Sequence, residues 1–265
     1  MTKLMRKVGI VGGSGMLGRA IAKGLLDGQV VAPQDLWISN QSGRQNVAEL
    51  PSTVNFTANN QQLADACEVI ILSVPPANLL EITIDARDRL IISVMAGVTT
   101  NQLSNISGAS RVVRAMSSPA AATGLAFSPW FASRDVTLHD RACVNSLFEA
   151  CGATAEVTIE GQIDSFTAIT GPVPGFVAFF AECMVNYAVE SGISEVVANR
   201  AIRQLFLAAG RMMADSSATP AQHVEEMIDY AGTTAAGLIS MKDSSIQKNI
   251  SDGLNAAVER ARMLS

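Results

Sequence analysis

Short apolar runs alternate with segments of helical spacing over the first 160 residues of the chain. Turn-forming residues bound most of these runs, a pattern typical of buried parallel strands. The predicted strands are residues 8–11, 36–39, 69–74, 90–95, 111–116, 124–127 and 155–159. A first helix continues to residue 25, and further helices are predicted at residues 44–49, 62–66, 77–87, 100–104 and 140–150. This alternation predicts an α/β fold of the Rossmann type, with a doubly wound parallel sheet.

Beyond residue 161 the strand patterns end and only helical patterns remain. Five helices are predicted, at residues 175–191, 194–215, 220–228, 233–241 and 246–264. Thr219 and Pro220 are typical of a helix start, because proline fits the first turn of a helix. The pattern therefore predicts two domains, a nucleotide-binding domain at residues 1–161 and an all-helical domain at residues 162–265.

The stretch at residues 176–189 is the most apolar in the helical half, so a membrane span has to be considered. Glu182 and Asn186 interrupt it, and Pro174 and Gly175 lie near its start. A membrane-spanning helix needs about 20 consecutive apolar residues. The stretch therefore favours a buried helix at a subunit or domain interface, and no membrane association is expected.

A glycine-rich turn follows the first predicted strand and carries the clearest chemical signal in the sequence. Gly13, Gly15 and Gly18 have the spacing G-x-G-x-x-G between a strand and a helix. We expect Gly13 to form the tight turn, Gly15 to let a pyrophosphate approach the backbone, and Gly18 to let the helix pack on the strand. The free N–H groups at the helix start would face the phosphates. A purely structural glycine turn is the alternative.

The end of the second strand predicts which dinucleotide binds. Enzymes that select NAD have an acidic residue there, but residues 38–44 contain none. Ser39, Asn40 and Arg44 would instead accept the 2′-phosphate of NADP, so NADP is favoured over NAD, unless Arg44 is simply a solvated helix residue. The loops after the next two strands should line the same crevice. The predicted cofactor-binding residues are Gly13, Ser14, Gly15, Met16, Leu17, Gly18, Ser39, Asn40, Arg44, Ser73, Val74, Pro75, Ala96 and Gly97.

Composition narrows the functional classes further. The chain has 265 residues, a net charge of −5 and no basic run, so nucleic-acid binding is not expected. Its four cysteines lack the C-x-x-C spacing, and residues 1–7 are charged and too short for a targeting signal. We therefore expect reduced thiols and a cytoplasmic location. No spacing of residues suggests a metal site.

Several short segments, in their order along the chain, resemble the pyrroline-5-carboxylate reductase family. They are Gly13-Ser14-Gly15 with Ala20, Ala96-Gly97-Val98-Thr99 with Gln102-Leu103, Val113-Arg114-Ala115-Met116, and Ala231-Gly232-Thr233-Thr234. The resemblance spans almost the whole chain, including its length and its helical second half. No single segment is specific, but the ordered set is.

The resemblance implies NADPH-dependent reduction of a cyclic imine, 1-pyrroline-5-carboxylate, to proline. It also implies that the helical half forms a homodimer, or a higher homo-oligomer, and that the active site lies at the partner's helical domain. By position, Thr234 would hydrogen-bond the imine nitrogen. The residues implied to contact the rest of the substrate are Asp229, Gly232, Thr233, Thr170 and Gly171. The chain has only two histidines, and neither lies in a catalytic context. A strong general base is unnecessary, because a protonated imine needs only a hydride.

Two positions depart from the family pattern in the substrate half. Asp229 and Tyr230 stand where the family usually has Ser and Pro. A carboxylate about 5 Å from a substrate carboxylate would cost roughly 3 kcal/mol at an effective dielectric near 20. Either Asp229 points away, or it is protonated, or the substrate differs, for example a cationic imine.

The loops at residues 170–176 and 117–119 also differ from the family pattern, the former with two added prolines that remove N–H donors.

Three rival interpretations remain. A β-hydroxyacid dehydrogenase would need a catalytic lysine early in the helical half, but the chain has no lysine between Lys23 and Lys242. A coenzyme F420-dependent NADP reductase shares the nucleotide domain, and residues 233–234 fit it less well. A dinucleotide-binding sensor without turnover stays open because the substrate loops are altered.

Overall fold

A computed structural model describes residues 6–44 and 48–263 of the chain. The strands are β1 Val8–Val11, β2 Leu36–Ser39, β3 Asn55–Thr57, β4 Val69–Leu72, β5 Leu90–Ser93, β6 Val112–Ala115, β7 Ala126–Ala132 and β8 Gly152–Glu156. The helices are α1 Met16–Asp27, α2 Asn60–Ala66, α3 Thr100–Ser107, α4 Leu138–Glu149, α5 Gln162–Ile169, α6 Gly175–Glu190, α7 Glu195–Ala214, α8 Pro220–Asp229, α9 Thr233–Lys242 and α10 Ile246–Arg262. Short 3-10 turns occur at Pro33–Asp35, Pro76–Glu81 and Pro119–Thr123.

Within the described residues the eight strands form one sheet in the order β3-β2-β1-β4-β5-β6-β7-β8. Strand β1 lies between β2 and β4 and runs parallel to both. The order reverses at β1, which is where open α/β sheets bind their ligands. The Rossmann-type fold predicted for the first half is confirmed.

One strand pairing departs from the predicted all-parallel sheet. Strand β7 pairs antiparallel with β6, with Arg114 opposite Phe131. The connection between them contains only the 3-10 turn Pro119–Thr123. A parallel pairing needs a crossover of a dozen or more residues, usually a helix, so this short connection returns the chain antiparallel.

The central strands are buried on both faces, and alternate residues feed two apolar clusters. Ile10 and Ile71 face a cluster that includes Leu25 and Phe148, from α1 and α4. Ile70 and Leu72 face the other cluster, which includes Leu103 from α3. This double coverage explains why the strands read as continuous apolar runs in the sequence.

Several sequence-based element predictions were wrong or missed. The helix predicted at residues 77–87 is only the 3-10 turn Pro76–Glu81 followed by non-helical chain. There Ile82, Ile84 and Ala86 are buried while their neighbours are exposed, an alternation of period two that does not suit a helix. Strand β3 and helix α5 were not predicted. The helix predicted at residues 44–49 falls largely on residues 45–47, which lie outside the described residues.

Residues 6–173 and 256–263 belong to one compact unit, and residues 174–255 form a second. In the second unit α6 packs with α7 and α8 with α9. Helix α6 has no buried residue within the described chain, and Phe179 and Tyr187 are 62% and 72% exposed. An apolar surface of this kind marks an interaction site. No helix in the described ranges is long and apolar enough to cross a membrane.

Candidate cofactor-binding site

The turn between β1 and α1 forms the floor of the candidate site. Gly12 has a φ of +78°, a conformation open to glycine but strained for other residues. Its N–H donates to the Ser39 carbonyl at 3.1 Å, and its own carbonyl accepts from the Gly15 N–H at 3.0 Å. The positive φ of the turn is therefore at Gly12, and Gly13 is a central residue of the same turn.

Gly13 and Gly18 are small for packing reasons instead. A Cβ on Gly13 would lie 2.9 Å from Cγ2 of Ile38, in the neighbouring strand β2. A Cβ on Gly18 would lie 2.6 Å from the Gly12 carbonyl, so α1 approaches the turn only because residue 18 has no side chain. The packing role predicted for Gly18 is confirmed.

A cleft of about 600 Å³ opens above this turn. Its floor consists of residues 11, 12, 14 and 15. Its lining residues are Val11, Gly12, Ser14, Gly15, Ser39, Asn40, Gln41, Ser42, Ala58, Asn60, Ser73, Val74, Pro75, Asn78, Glu81 and Ile82. Because β2 and β4 flank β1 on opposite sides, the cleft has a β2 wall (residues 39–42, 58 and 60) and a β4 wall (residues 73–75, 78, 81 and 82).

Hydrogen bonds fold the loop after β2 onto the glycine turn. The Asn40 side-chain amide donates to the Ser14 hydroxyl at 2.8 Å and to the Arg44 carbonyl at 2.9 Å. The Ser42 hydroxyl donates to the Asn40 side-chain oxygen at 3.1 Å and accepts from the Arg44 N–H at 3.3 Å. The loop therefore stands as an ordered turn of hydroxyl and amide groups beside the β2 wall.

The cleft fits a dinucleotide phosphate on the evidence of its own residues. Gly15 is the N-cap of α1 and has no side chain, so the first N–H groups of the helix receive no side-chain cap. A Cβ on Gly15 would lie 3.3 Å from the Gly12 carbonyl, and the glycine leaves the backbone there uncovered. The β2 wall carries hydroxyl and amide groups and no carboxylate. The free N–H groups and the positive dipole end of such a helix start favour an anion.

The structure brings seven of the predicted cofactor residues together in the cleft and leaves seven outside its lining. Those in the lining are Ser14, Gly15, Ser39, Asn40, Ser73, Val74 and Pro75, and those outside it are Gly13, Met16, Leu17, Gly18, Arg44, Ala96 and Gly97. Arg44 is exposed, two residues beyond the lining residue Ser42. Ala96 and Gly97 lie in the turn between β5 and α3, where Gly97 has a φ of +77°.

Nine lining residues were not among the predicted cofactor residues. Val11, Gly12, Gln41 and Ser42 adjoin predicted ones, whereas Ala58, Asn60, Asn78, Glu81 and Ile82 come from other segments. These five form two groups. The first two follow β3, a three-residue strand that periodicity is too short to reveal. The last three belong to the 3-10 turn after Pro75 and its end, a segment wrongly predicted as part of a helix. Pro75 was the available signal for the last three. It marks the end of β4, so the residues just after it enter the crevice at the carboxyl ends of the strands.

The predicted substrate residues of the helical unit lie around the start of α9. Gly232 is its N-cap, with no side-chain hydrogen bond to the first N–H groups. Thr233 and Thr234 occupy the first two helical positions and are exposed within the described chain. Ala231 has a φ of +56°, an unusual value for alanine. The loop therefore presents uncapped backbone donors next to two hydroxyl groups.

Asp229 ends α8 and is exposed, with its exposed neighbour Tyr230 following it. It borders a shallow depression of about 370 Å³ together with Glu225 and Glu226. The surface around Asp229 is thus negatively charged.

Thr170 and Gly171 follow α5 in the first unit. The Thr170 hydroxyl donates to the Phe166 carbonyl at 3.1 Å, and the Gly171 N–H donates to the same carbonyl at 3.3 Å. A Cβ on Gly171 would meet the Thr167 carbonyl and the Met116 side chain, both at 2.5 Å. Gly171 therefore allows the loop after β6 to pack against this turn.

Cysteine chemistry is not supported in the first unit. Burial raises the pKa of Cys67 and Cys151 to about 12 and that of Cys143 to about 11. Thiols with pKa values this high are not nucleophiles near neutral pH.

Comparisons with known proteins give one consistent result. Residues 160–264 match the model "Pyrroline-5-carboxylate reductase dimerisation", and residues 7–97 match the model "NADP oxidoreductase coenzyme F420-dependent". Pyrroline-5-carboxylate reductase 2 of Bacillus subtilis is 28% identical, over 97% of this chain and 94% of that protein. The enzyme of Vibrio alginolyticus is also 28% identical, over 97% and 96% of the two chains.

A solved structure agrees with the sequence relatives. A pyrroline-5-carboxylate reductase from Coxiella burnetii superposes with a TM-score of 0.87 at 25% identity, covering 99% of both chains. The match in the helical half distinguishes this family from the F420-dependent reductases, whose model covers only the nucleotide half. The chain is therefore similar to pyrroline-5-carboxylate reductases over almost its whole length, and residues 160–264 match their dimerisation domain.

Proposed function

We propose that this protein reduces 1-pyrroline-5-carboxylate to proline with NADPH, as a homodimer assembled through the helical domain. Residues 1–161 form the cofactor domain and residues 162–265 the dimerisation and substrate domain in this proposal. The observation that carries it is the coexistence of the dinucleotide cleft with a carboxy-terminal half matching the family's dimerisation domain. The exposed apolar face of α6 supports the assembly.

The backbone of Ser14, Gly15, Met16 and Leu17, at the uncapped start of α1, would hold the cofactor's phosphates. The β2 loop would receive the 2′-phosphate, with Arg44 supplying the positive charge. The side chains of Asn40 and Ser42 hold this loop in place through their own hydrogen bonds. Pro75, Ala96 and Gly97 continue the cofactor path along the carboxyl ends of the sheet strands. When bound, the reduced nicotinamide supplies the hydride.

The residues of the helical half orient the imine. Backbone N–H groups of Gly232 and Thr233 hold the substrate carboxylate, since the first turn of α9 has no side-chain cap. The Thr234 hydroxyl bonds the ring nitrogen. Because the imine is already protonated, hydride addition to its carbon yields the amine without a separate base. Thr170, whose hydroxyl hydrogen is engaged with Phe166, contacts substrate as an acceptor.

A second substrate class is favoured by the charge around Asp229. Glu225, Glu226 and Asp229 border one depression, and this cluster disfavours an anionic substrate beside it. A cationic imine without the carboxylate is the candidate it supports. A cytoplasmic location remains a prediction from the sequence.

The test is NADPH oxidation at 340 nm with 1-pyrroline-5-carboxylate and a panel of other cyclic imines, including cationic ones. We expect turnover of 1-pyrroline-5-carboxylate and a loss of kcat of about tenfold or more in Thr234→Ala, from loss of one hydrogen bond at the reacting group. Thr219→Ala, in the cap of α8, is the control and should keep the wild-type kcat. NADPH binding without turnover of any imine would contradict the enzymatic proposal.

A further inference from the structure

An acidic side chain lies in the dinucleotide cleft, on the wall opposite the phosphate-binding loop. Glu81 belongs to the β4 wall and is the one charged residue among the described residues that line the cleft. Asn78 lies on the same wall, and its side-chain amide donates to Oε2 of Glu81 at 2.7 Å. A carboxylate near an anionic cofactor is unfavourable unless it accepts a hydrogen bond from that cofactor.

The topology indicates which part of the cofactor reaches this wall. The β2 wall and the β4 wall stand on opposite sides of β1, with the glycine turn as floor between them. In the proposed binding of NADPH, the β2 wall would hold the 2′-phosphate and its ribose. The base attached to that ribose would then reach Glu81, Ile82 and Pro75 on the other wall. Ile82 and Pro75 offer apolar contacts for a flat ring.

The Glu81–Asn78 pair presents an acceptor beside a donor. The carboxylate of Glu81 accepts hydrogen bonds, and the Asn78 amide has a second N–H beyond the one given to Glu81. Adenine matches this order, because its amine donates while a ring nitrogen beside it accepts. Hypoxanthine carries a carbonyl oxygen in place of the amine, so it would place an acceptor against the carboxylate.

We infer that Glu81 and Asn78 recognise the amine-bearing edge of the adenine base and make the cleft selective for adenine dinucleotides. This inference rests on the proposed binding of NADPH. It assigns the base selectivity to the 3-10 turn Pro76–Glu81, and the phosphate selectivity to the loop after β2. A site that hydrogen-bonds one group of a ligand discriminates against an analogue without that group, because the polar groups of the site are then left unpaired.

The test compares dissociation constants of NADPH and reduced nicotinamide hypoxanthine dinucleotide phosphate by calorimetry on the full-length protein. We expect wild type to bind NADPH about fivefold more tightly, as for one partly exposed hydrogen bond. In Glu81→Ala the ratio of the two constants should fall to about one. In Asn78→Ala it should fall part of the way, because Asn78 positions the Glu81 carboxylate through its hydrogen bond. The ratio is the readout because removing a negative charge strengthens binding of both anionic cofactors alike.

Glu149→Gln is the matched control, since it removes an exposed acid on α4 away from the cleft lining. It should leave the wild-type ratio unchanged. Equal binding of the two cofactors by wild type, or an unchanged ratio in Glu81→Ala, would overturn the inference while leaving NADPH binding and imine reduction intact. Absence of NADPH binding would instead overturn the proposed function itself.

Discussion

The Asn40 side-chain amide donates a hydrogen bond to the Ser14 hydroxyl at 2.8 Å, joining the end of β2 to the glycine turn. The same amide group donates to the Arg44 carbonyl, so one side chain positions both the glycine turn and the loop bearing Arg44. The two features proposed to bind the cofactor's phosphates, a bare helix start and a positively charged loop, are thereby held in one arrangement.

Replacing Asn40 should weaken NADPH binding by disordering this loop. In Asn40→Ala we expect the dissociation constant of NADPH to rise about tenfold, because the side-chain hydrogen bonds to Ser14, Arg44 and Ser42 that order the loop are lost. Asn55→Ala removes an amide that bonds the carbonyls of Gln34 and Leu36 outside the cleft lining. Calorimetry should show little change in that control, and equal losses in both variants would contradict the positioning role.

Arg44 should determine the preference for NADPH over NADH. Arg44→Ala is expected to raise the dissociation constant of NADPH about fivefold and leave that of NADH unchanged, because only NADPH carries the 2′-phosphate. Arg134→Ala, at an exposed arginine between β7 and α4, is the control for a general loss of positive charge and should leave both dissociation constants unchanged. If Arg44→Ala weakened both cofactors equally, Arg44 would not contact the 2′-phosphate.

Gly12 should tolerate no side chain. In Gly12→Ala the residue keeps a φ of +78° and its Cβ meets the Ser73 carbonyl at 2.6 Å. The strain predicts a loss of unfolding free energy of about 2 kcal/mol or more. Gly210→Ala, in the interior of α7 with open space around it, should instead stabilise the helix by about 0.5 kcal/mol. Denaturant unfolding midpoints distinguish the two, and similar midpoints would contradict this account of the turn.

The buried pair of Arg114 and Asp164 should stabilise the junction of β6 and α5. Arg114 is 2% exposed and its guanidinium bonds the Asp164 carboxylate. Asp164→Ala would leave a buried cation without its nearest partner, at a cost of about 3 kcal/mol. The exposed Asp135, replaced in the same way, should cost less than about 0.5 kcal/mol. Thermal unfolding measures both, and a loss below 1 kcal/mol in Asp164→Ala would contradict the prediction.

Asp140 should give the protein part of its acid sensitivity. Burial opposes its ionisation, but hydrogen bonds from Thr137, Arg6 and Arg111 outweigh it and lower the pKa of the carboxyl. A folded-state pKa below the unfolded value, about 3.9, means that the stabilisation is complete above that pH and disappears as pH falls through the folded pKa.

Asp140→Asn should therefore be less stable than wild type at pH 7, with a smaller further loss of stability between pH 5 and pH 3. Urea unfolding at each pH measures the slope. Asp135→Asn should retain the wild-type slope, and parallel curves for wild type and Asp140→Asn would rule out this source of acid sensitivity.

The sequence predicted the parts of the fold that follow from long apolar runs. Strands β4 and β5 and helices α6 and α7 were located within a few residues because burial on both faces, or helical periodicity, extends over enough positions to be read. Strand β3 is three residues long and gives no such signal. The antiparallel direction of β7 was missed, although the short connection after β6 was a signal for it.

The sequence predicted those site residues whose role follows from their spacing along the chain. It missed those that the tertiary fold brings to the cleft. The glycine turn and Asn40 were found, although the turn residue with a positive φ is Gly12 rather than Gly13. Asn60 and Glu81 reach the cleft only because β3 and the 3-10 turn bring them there. Periodicity could not place them.

Calorimetric titration of the purified protein with NADPH and then NADH tests the central claim most directly, namely that the turn after β1 binds a dinucleotide. The account predicts saturable binding of one NADPH per chain, tighter than binding of NADH. A protein that associates with neither coenzyme would contradict it.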